Sequence, residues 1–122
     1  MQKNKLMIID DDLGFSEMIS GYFKSHNYGV YTADNLEQAI RIYKRERMKV
    51  VILDFNMPFV TGEKILPLLQ KINPAVRALV VTGCIGEEVE EKFKGLGYFA
   101  YLEKGGMSLE GLKEKVEEAL NY

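Results

Sequence analysis

The chain has 122 residues, of which 47% are hydrophobic and 28% charged, and its formal net charge is −2. This length and composition suit one globular domain with a buried core, so we expect a single domain over residues 1–122. The slightly acidic balance gives no reason to expect direct nucleic-acid binding, and no apolar run is long enough to span a membrane. The single cysteine, Cys84, excludes an internal disulfide and favours a cytoplasmic location.

Two short apolar runs in the first half of the chain end in aspartate. Residues 6–9 precede Asp10, Asp11 and Asp12, and residues 50–53 precede Asp54. Continuous aliphatic runs rich in β-branched residues are typical of strands that are buried on both faces of a parallel sheet. Pro58 prevents the second run from continuing inside a sheet, so we expect Asp54 at the carboxyl end of a central strand.

Two helices and one strand are predicted between these runs. Asp12 is the expected N-cap of the first helix, and residues 29–32 form a short strand. Asp34 or Asn35 is expected to cap the second helix, and Glu37, three residues after Asp34, predicts a capping box.

The second half continues the alternation of helices and strands. A third helix follows Gly62 and contains Pro67, so it must either begin late or kink at that proline. Residues 77–82 and 98–102 predict the fourth and fifth strands, on either side of a weak, acidic fourth helix at about residues 87–94. Ser108 is the expected cap of a last helix with a regular apolar stripe.

Five strands alternating with five helices through short connections indicate an α/β fold with a parallel sheet and helices on both faces. The predicted architecture is a flavodoxin-like, doubly wound five-stranded parallel sheet with the strand order 2-1-3-4-5. In that order the first and third strands are neighbours. We therefore expect Asp10, Asp11 and Asp12 to lie beside Asp54 at one edge of the sheet.

Chemically reactive side chains follow four of the five predicted strands. Asp10 and Asp11 follow the first strand, Asp54 the third, Thr82 the fourth and Lys104 the fifth. Carboxylates about 4 Å apart repel each other by roughly 1 kcal/mol in water and about 4 kcal/mol at an effective dielectric constant of about 20. Each residue alone has an ordinary explanation, such as a helix cap or a surface lysine, but four such strand ends favour a site.

A divalent cation would offset this repulsion, and all-oxygen ligands favour Mg²⁺, with Mn²⁺ as the alternative ion. Such an ion normally shares its remaining positions with water and phosphate, for which Thr82 and Lys104 are suitable partners. Asp54 is then either a further metal ligand or the nucleophile that receives a phosphoryl group.

The sequence resembles the receiver domain of two-component response regulators over its whole length. The matching residues are Ile8, Ile9, Asp10, Asp11, Asp12, Leu53, Asp54, Met57, Pro58, Gly62, Val81, Thr82, Gly83 and Lys104. The resemblance implies that Asp54 is the phosphoacceptor. It also implies that Asp11 binds Mg²⁺ directly, that Asp10 binds it through water, and that the backbone carbonyl of Asn56 is a further ligand.

The resemblance also assigns a switch and its partners. Thr82 and Lys104 would hold the phosphoryl oxygens, and Tyr101 would turn inward when Thr82 moves. The phosphoryl donor would be a sensor histidine kinase or a phosphotransfer protein. A downstream protein would bind the face made by the fourth helix, the fifth strand and the fifth helix. Such a protein takes part in its own phosphorylation and dephosphorylation but is not an enzyme.

Three positions bear on how closely the chain follows the family pattern. Gly105 replaces the usual proline after Lys104, so we expect a trans or mobile link and a less firmly placed lysine. Gly83 stands where a small residue, often alanine, is usual, and should make the loop at Thr82 more mobile. Cys84 occupies a variable position that helps set the lifetime of the phosphoryl group. We interpret Cys84 as an ordinary small residue rather than a reactive thiol.

Parts of the sequence also fit two other functions. An aspartyl phosphatase of the haloacid-dehalogenase type would use the Asp-x-Asp spacing of Asp10 and Asp12, but Gly14 stands where that family has threonine or valine. The second alternative is a receiver-like interaction module that phosphorylation does not regulate. The glycines after Lys104 favour that module, whereas the complete acidic set argues against it.

Overall fold

The structure is a computed structural model of the chain, and it describes residues 4–57, 60–83, 91–92 and 95–121. The strands are β1 (Asn4–Ile9), β2 (Tyr28–Ala33), β3 (Val50–Asp54), β4 (Arg77–Thr82) and β5 (Ala100–Glu103). The helices are α1 (Leu13–Ser25), α2 (Leu36–Glu46), α3 (Gly62–Ile72) and α4 (Leu109–Asn121). The predicted fourth helix falls mostly on residues outside this description, as do Pro58 and Cys84, so α4 is the helix predicted as the fifth.

The five strands form one sheet in the order β2-β1-β3-β4-β5, and all paired strands are parallel. The predicted flavodoxin-like, doubly wound fold and its strand order are thereby confirmed. Pairing continues beyond the strand ends, where the Asp10 N–H donates to the Ala33 carbonyl at 3.0 Å and the Phe55 N–H donates to the Val81 carbonyl at 3.1 Å. These bonds hold the acidic residues at the carboxyl edge of the sheet.

The alternation of side chains along the strands divides the core into two halves. One half packs the side chains of Met7, Val51 and Val80 against buried residues of α2 and α3. The other half packs Leu6 and Ile52 against α1 and α4. Every residue of β3 is buried, as a central strand covered by helices on both faces requires.

The helix caps confirm the predictions in part. The Asp12 side chain accepts a hydrogen bond from the Phe15 N–H and caps α1. In α2 the cap is Asn35, which accepts from the Gln38 N–H, while the Gln38 side chain accepts from the Asp34 N–H. The predicted pairing of Asp34 with Glu37 is therefore wrong by one residue, because Asn35 has the extended backbone that places its side chain over the first turn.

The third helix begins at Gly62, with Pro67 inside it, so the late start considered from the sequence is wrong. The alternative, a kink at Pro67, stays a prediction. The fifth strand begins two residues later than predicted, at Ala100, and Gly97, with a left-handed φ of 76°, lies three residues before that start. Among the described residues, no helix has the length and apolar character needed to cross a membrane.

Candidate functional site

The carboxyl edge of the sheet collects the predicted site residues. Asp10 and Asp54 stand at the ends of neighbouring strands and expose only 1% and 2% of their surfaces. Thr82, the last residue of β4, is fully buried. The side chain of Lys104 is 17% exposed and reaches both carboxylates. The structure thus brings together Asp10, Asp54 and Lys104 as the sequence predicted.

The three consecutive aspartates after β1 have different environments. Asp12 caps α1, with its Oδ1 atom 3.1 Å from the Phe15 N–H. Asp10 Oδ1 accepts a hydrogen bond of 2.8 Å from the Asp12 N–H. Asp10 Oδ2 lies 2.8 Å from Lys104 Nζ as an ion pair, and within the described residues it has no hydrogen bond of good geometry. Asp11 is exposed, so its carboxylate is open to solvent.

The ammonium group of Lys104 lies between the two buried carboxylates. Its Nζ atom is 2.8 Å from Asp10 Oδ2 and 3.6 Å from Asp54 Oδ1. The backbone supports this placement, because the Lys104 N–H donates to the Thr82 carbonyl at 2.8 Å. Within the part of the chain that the structure describes, the ion pairs of these two buried carboxylates bring in one positive charge, so the negative charge of the two acids is not fully compensated there.

The pKa shifts follow from this imbalance. Burial first, and then the negative charge of Asp10, raise the pKa of Asp54 to about 7, although Lys104 and a backbone hydrogen bond from Asn56 oppose the rise. Burial lowers the pKa of Lys104, but the carboxylates of Asp10 and Asp54 outweigh it, so this pKa is raised. Lys104 therefore keeps its positive charge, and ionisation of Asp54 beside Asp10 is disfavoured.

These acids fit a divalent cation. Asp10, Asp11 and Asp54 each present a carboxylate oxygen, and these oxygens lie within 4.8 Å of one another. The buried Oδ2 atom of Asp10, which pairs with the Lys104 ammonium at 2.8 Å, is a donor atom of the kind that a hard cation takes up. Asn56 lies two residues beyond Asp54 and bonds to it through its backbone, so it adjoins the same group. The arrangement is consistent with a metal site made of oxygen ligands.

The two predicted switch residues share one face of the sheet. In the β4–β5 register, Val80 pairs with Tyr101 and Thr82 pairs with Glu103. Because side chains alternate between faces, Thr82 and Tyr101 lie on the same side. Tyr101 is partly buried against the core half formed with α2 and α3. Its partial burial on the same face as Thr82 is the placement that the predicted switch requires.

Comparison with known proteins decides the family. Residues 6–117 match the family described as the response regulator receiver domain. The chain belongs to this family. The cell cycle response regulator CtrA of Brucella ovis is 30% identical over 96 residues, which are 79% of this chain and 40% of that protein. The chain thus spans about two fifths of the length of the curated relatives it matches.

Solved structures share the receiver fold. A CheY-like receiver domain protein from Methanospirillum hungatei JF-1 is 22% identical, with a TM-score of 0.91, over 98% of this chain and 95% of that chain. A Burkholderia pseudomallei response regulator with a phosphorylated aspartic acid, a calcium ion and citrate is also 22% identical. Its TM-score is 0.81, over 98% of this chain and 75% of that chain. At these identities the likeness establishes the fold.

The family match settles the predicted class. Receiver domains are signalling domains of two-component systems, are controlled by phosphorylation and are generally not classical enzymes. They interact with histidine kinases or phosphotransfer proteins. The prediction of a receiver domain is confirmed, and the phosphatase alternative drawn from Asp10 and Asp12 is not supported.

The receiver departs from its family pattern after Lys104. No cis peptide bond occurs among the described residues, so the link from Lys104 to Gly105 is trans, as predicted. The following turn is held by hydrogen bonds from the Gly106 and Met107 N–H groups to the Glu103 carbonyl, at 3.3 and 3.1 Å. A Cβ atom at Gly105 or Gly106 would meet nothing within 4 Å. Steric crowding therefore does not explain these glycines, and the predicted mobility of the link stays a prediction.

One contact in the receiver site was missed from the sequence. The Lys104 ammonium lies over the Phe15 ring, 4.4 Å from its centroid. Phe15 fits the apolar stripe of α1, and this periodicity already accounts for its burial. The sequence signal for this contact is an aromatic residue in the first turn of a helix that starts beside the acidic edge of the sheet.

Proposed function

We propose that this receiver is a phosphorylation-dependent switch that accepts a phosphoryl group onto Asp54 in a Mg²⁺-dependent reaction. The donor is a phosphohistidine of a sensor histidine kinase or phosphotransfer protein. One observation carries the proposal. Asp54 is a buried carboxylate at the end of the central strand, with a second acid and an ammonium group beside it.

The chemistry assigned to Asp54 is nucleophilic attack on phosphorus. A carboxylate oxygen forms the new O–P bond, the P–N bond to the donor histidine breaks, and the imidazole nitrogen keeps the electron pair and takes a proton. The attack requires ionised Asp54, whose pKa is raised to about 7 by burial and by Asp10. Mg²⁺ held by Asp10, Asp11, Asp54 and the Asn56 carbonyl would supply the charge that keeps these acids ionised.

Lys104 and Thr82 have binding roles in this proposal. The Lys104 ammonium, already 3.6 Å from Asp54, pairs with an oxygen of the transferred phosphoryl group. The Thr82 hydroxyl donates to another of these oxygens. Movement of Thr82 toward the phosphoryl group opens space on its face of the sheet, and Tyr101 fills that space.

The proposed output surface comprises the predicted fourth helix, β5 and α4. Tyr101 lies in β5, so its inward movement changes this surface directly. A downstream protein would bind there and distinguish the two states. The location proposed for this exchange is the cytoplasm, with no direct contact to nucleic acid or membrane.

Relatives support parts of the proposal. The Burkholderia pseudomallei regulator carries a phosphorylated aspartic acid and a calcium ion, so the shared fold accommodates both groups. The Brucella ovis relative is a cell cycle response regulator, but this chain spans only 40% of it. The proposal is therefore limited to the receiver domain itself.

Labelling with acetyl phosphate tests the proposed acceptor. Incubation with acetyl phosphate and Mg²⁺ should add one phosphoryl group, measured by intact-mass spectrometry, and Asp54→Asn should abolish that addition. Asp34→Asn is the matched control, because Asp34 is an exposed carboxylate just after β2 at the same edge of the sheet. The control should label like the wild type. Persistent labelling of Asp54→Asn would place the acceptor elsewhere, and an unlabelled wild type would favour an interaction module.

A further inference from the structure

We propose that Phe15 is a positioning residue for Lys104 and holds its ammonium group in the phosphoryl site through a cation–π contact. The inference rests on the proposed function, in which Lys104 binds the phosphoryl group. Lys104 Nζ lies over the Phe15 ring at 4.4 Å from the centroid, within the roughly 6 Å range of such contacts.

The ring is rigidly placed beside the acidic group. Phe15 is buried in the first turn of α1, and its N–H donates to the Asp12 side chain that caps this helix. The same cap residue donates its own N–H to Asp10. The backbone of Phe15 is therefore placed by the turn that also orients Asp10, and burial against the sheet restricts the ring.

The backbone of Lys104 is held by hydrogen bonds, but these bonds do not fix its long side chain. The Lys104 N–H donates to the Thr82 carbonyl, and the turn that follows is closed by the Gly106 and Met107 N–H groups on the Glu103 carbonyl. The side-chain torsions of the lysine stay free under these bonds, and fixing them costs conformational entropy. The contacts of the ammonium group with Asp10, Asp54 and the Phe15 ring supply the missing constraint.

Of these three contacts, only the one with the ring is left unchanged by metal binding and phosphorylation. A cation bound to Asp10 would compete with the Lys104 ammonium for the same carboxylate, and transfer of a phosphoryl group changes Asp54. The Phe15 ring takes part in neither event. It continues to attract the ammonium through its negative face, in a partly buried place where this attraction is stronger than in water. A leucine of similar volume would fill the space without that attraction.

Three variants distinguish the effect of the aromatic face of Phe15 from the effect of its volume. Phe15→Leu removes the aromatic face, Phe15→Tyr keeps it, and Phe23→Leu removes a fully buried ring further along the same helix. At saturating Mg²⁺, Phe15→Leu should label with acetyl phosphate about three- to tenfold more slowly than the wild type, the range expected from a cation–π contact. Phe15→Tyr should label within about twofold of the wild type, and Phe23→Leu should label at the wild-type rate even though it is less stable.

A spectroscopic measurement tests the contact without phosphorylation. The ε-methylene protons of Lys104 should be shifted upfield in the NMR spectrum by the ring current of Phe15, and Phe15→Leu should abolish that shift. An unshifted wild-type resonance, or equal labelling rates for the leucine variant and the wild type, would overturn the role of Phe15 alone. A wild type that never labels would instead overturn the proposed function.

Discussion

Asp10 and Asp54 are buried acids that share the single ammonium group of Lys104. Burial penalises the charged form of Asp54, and repulsion from Asp10 adds to this penalty. Hydrogen bonds to Asp10 from the Asp12 N–H and to Asp54 from the Asn56 N–H offset the cost only in part. The metal-free site is therefore under electrostatic strain, and the raised pKa of Asp54 makes that strain measurable.

The pH dependence of stability should reveal the strain at Asp54. Its pKa rises from 3.8 to about 7 on folding, so the folded, metal-free protein holds this proton more tightly than the unfolded chain. The free energy of unfolding should therefore fall as pH rises from about 4 to about 7 and then level off. Asp54→Asn should remove this fall and gain on the order of 2 kcal/mol over the wild type at neutral pH, about half of the full shift.

Urea denaturation in a chelator at several pH values measures this difference. Asp34→Asn is the control, since Asp34 is exposed, and its stability should parallel that of the wild type at each pH. A gap between wild type and Asp54→Asn that stays constant from pH 4 to pH 7.5 would contradict the raised pKa. So would a variant that is less stable than the wild type at neutral pH.

At the scale of the elements, Tyr43 joins the end of α2 to two neighbouring segments. Its hydroxyl donates to the Met48 carbonyl at 2.8 Å, two residues before β3, and accepts from the Asn73 side chain at the end of α3. Burial raises the pKa of Tyr43 to about 12, although the hydrogen bond from Asn73 lowers it. The phenol therefore stays neutral, and it supplies hydrogen bonds in the core at every physiological pH.

Removing this hydroxyl should weaken the packing of α2 without changing the site. Tyr43→Phe leaves the Met48 carbonyl without its buried donor, so we expect a loss of about 1–2 kcal/mol in the free energy of unfolding. Tyr31→Phe is the control, because the Tyr31 hydroxyl donates at the periphery to Glu46, which also pairs with Lys5 and Arg45. Chemical denaturation should show a clearly smaller loss for Tyr31→Phe, and equal losses would contradict the role assigned to Tyr43.

The sequence predicted the elements best where one physical cause dominates. Four buried residues and a terminal aspartate defined β3, because a strand covered on both faces must be continuously apolar. The parallel sheet then carried Asp54, Asp10 and Lys104 to one edge. The sequence left the cap of α2 open between Asp34 and Asn35, because both are good capping residues and only the backbone conformation separates them.

The distances between the side chains of the site could not be predicted from the sequence. Strand order brings Lys104 near Asp10 and Asp54, but the distances of 2.8 and 3.6 Å depend on side-chain torsions and on a turn without proline. Phe15 shows the same limit. Its apolar character predicts burial against the sheet, and nothing in that pattern indicates that an ammonium group covers its ring.

At the scale of the whole molecule, binding of a cation to the acidic group should stabilise the folded state by linkage. Asp10, Asp11 and Asp54 lie together only in the folded chain, so an ion that binds them favours folding. With Mg²⁺ at about ten times its Kd the gain is about 1.4 kcal/mol, which for a domain of this size raises Tm by about 3–6 °C. Differential scanning calorimetry with and without millimolar Mg²⁺ measures this rise.

Asp11→Ala distinguishes a bound cation from general screening by salt. Asp11 is exposed, so its removal costs little packing, and it relieves repulsion within the acidic group. The metal-free variant should therefore melt at or above the wild-type temperature and show no specific rise with Mg²⁺. Asp34→Ala removes an exposed carboxylate outside the group and should keep the full rise. If wild type and both variants respond to Mg²⁺ alike, the ion acts through ionic strength and the acids hold no metal. A response lost only in Asp11→Ala would tie the stability of the whole domain to this cluster of carboxylates.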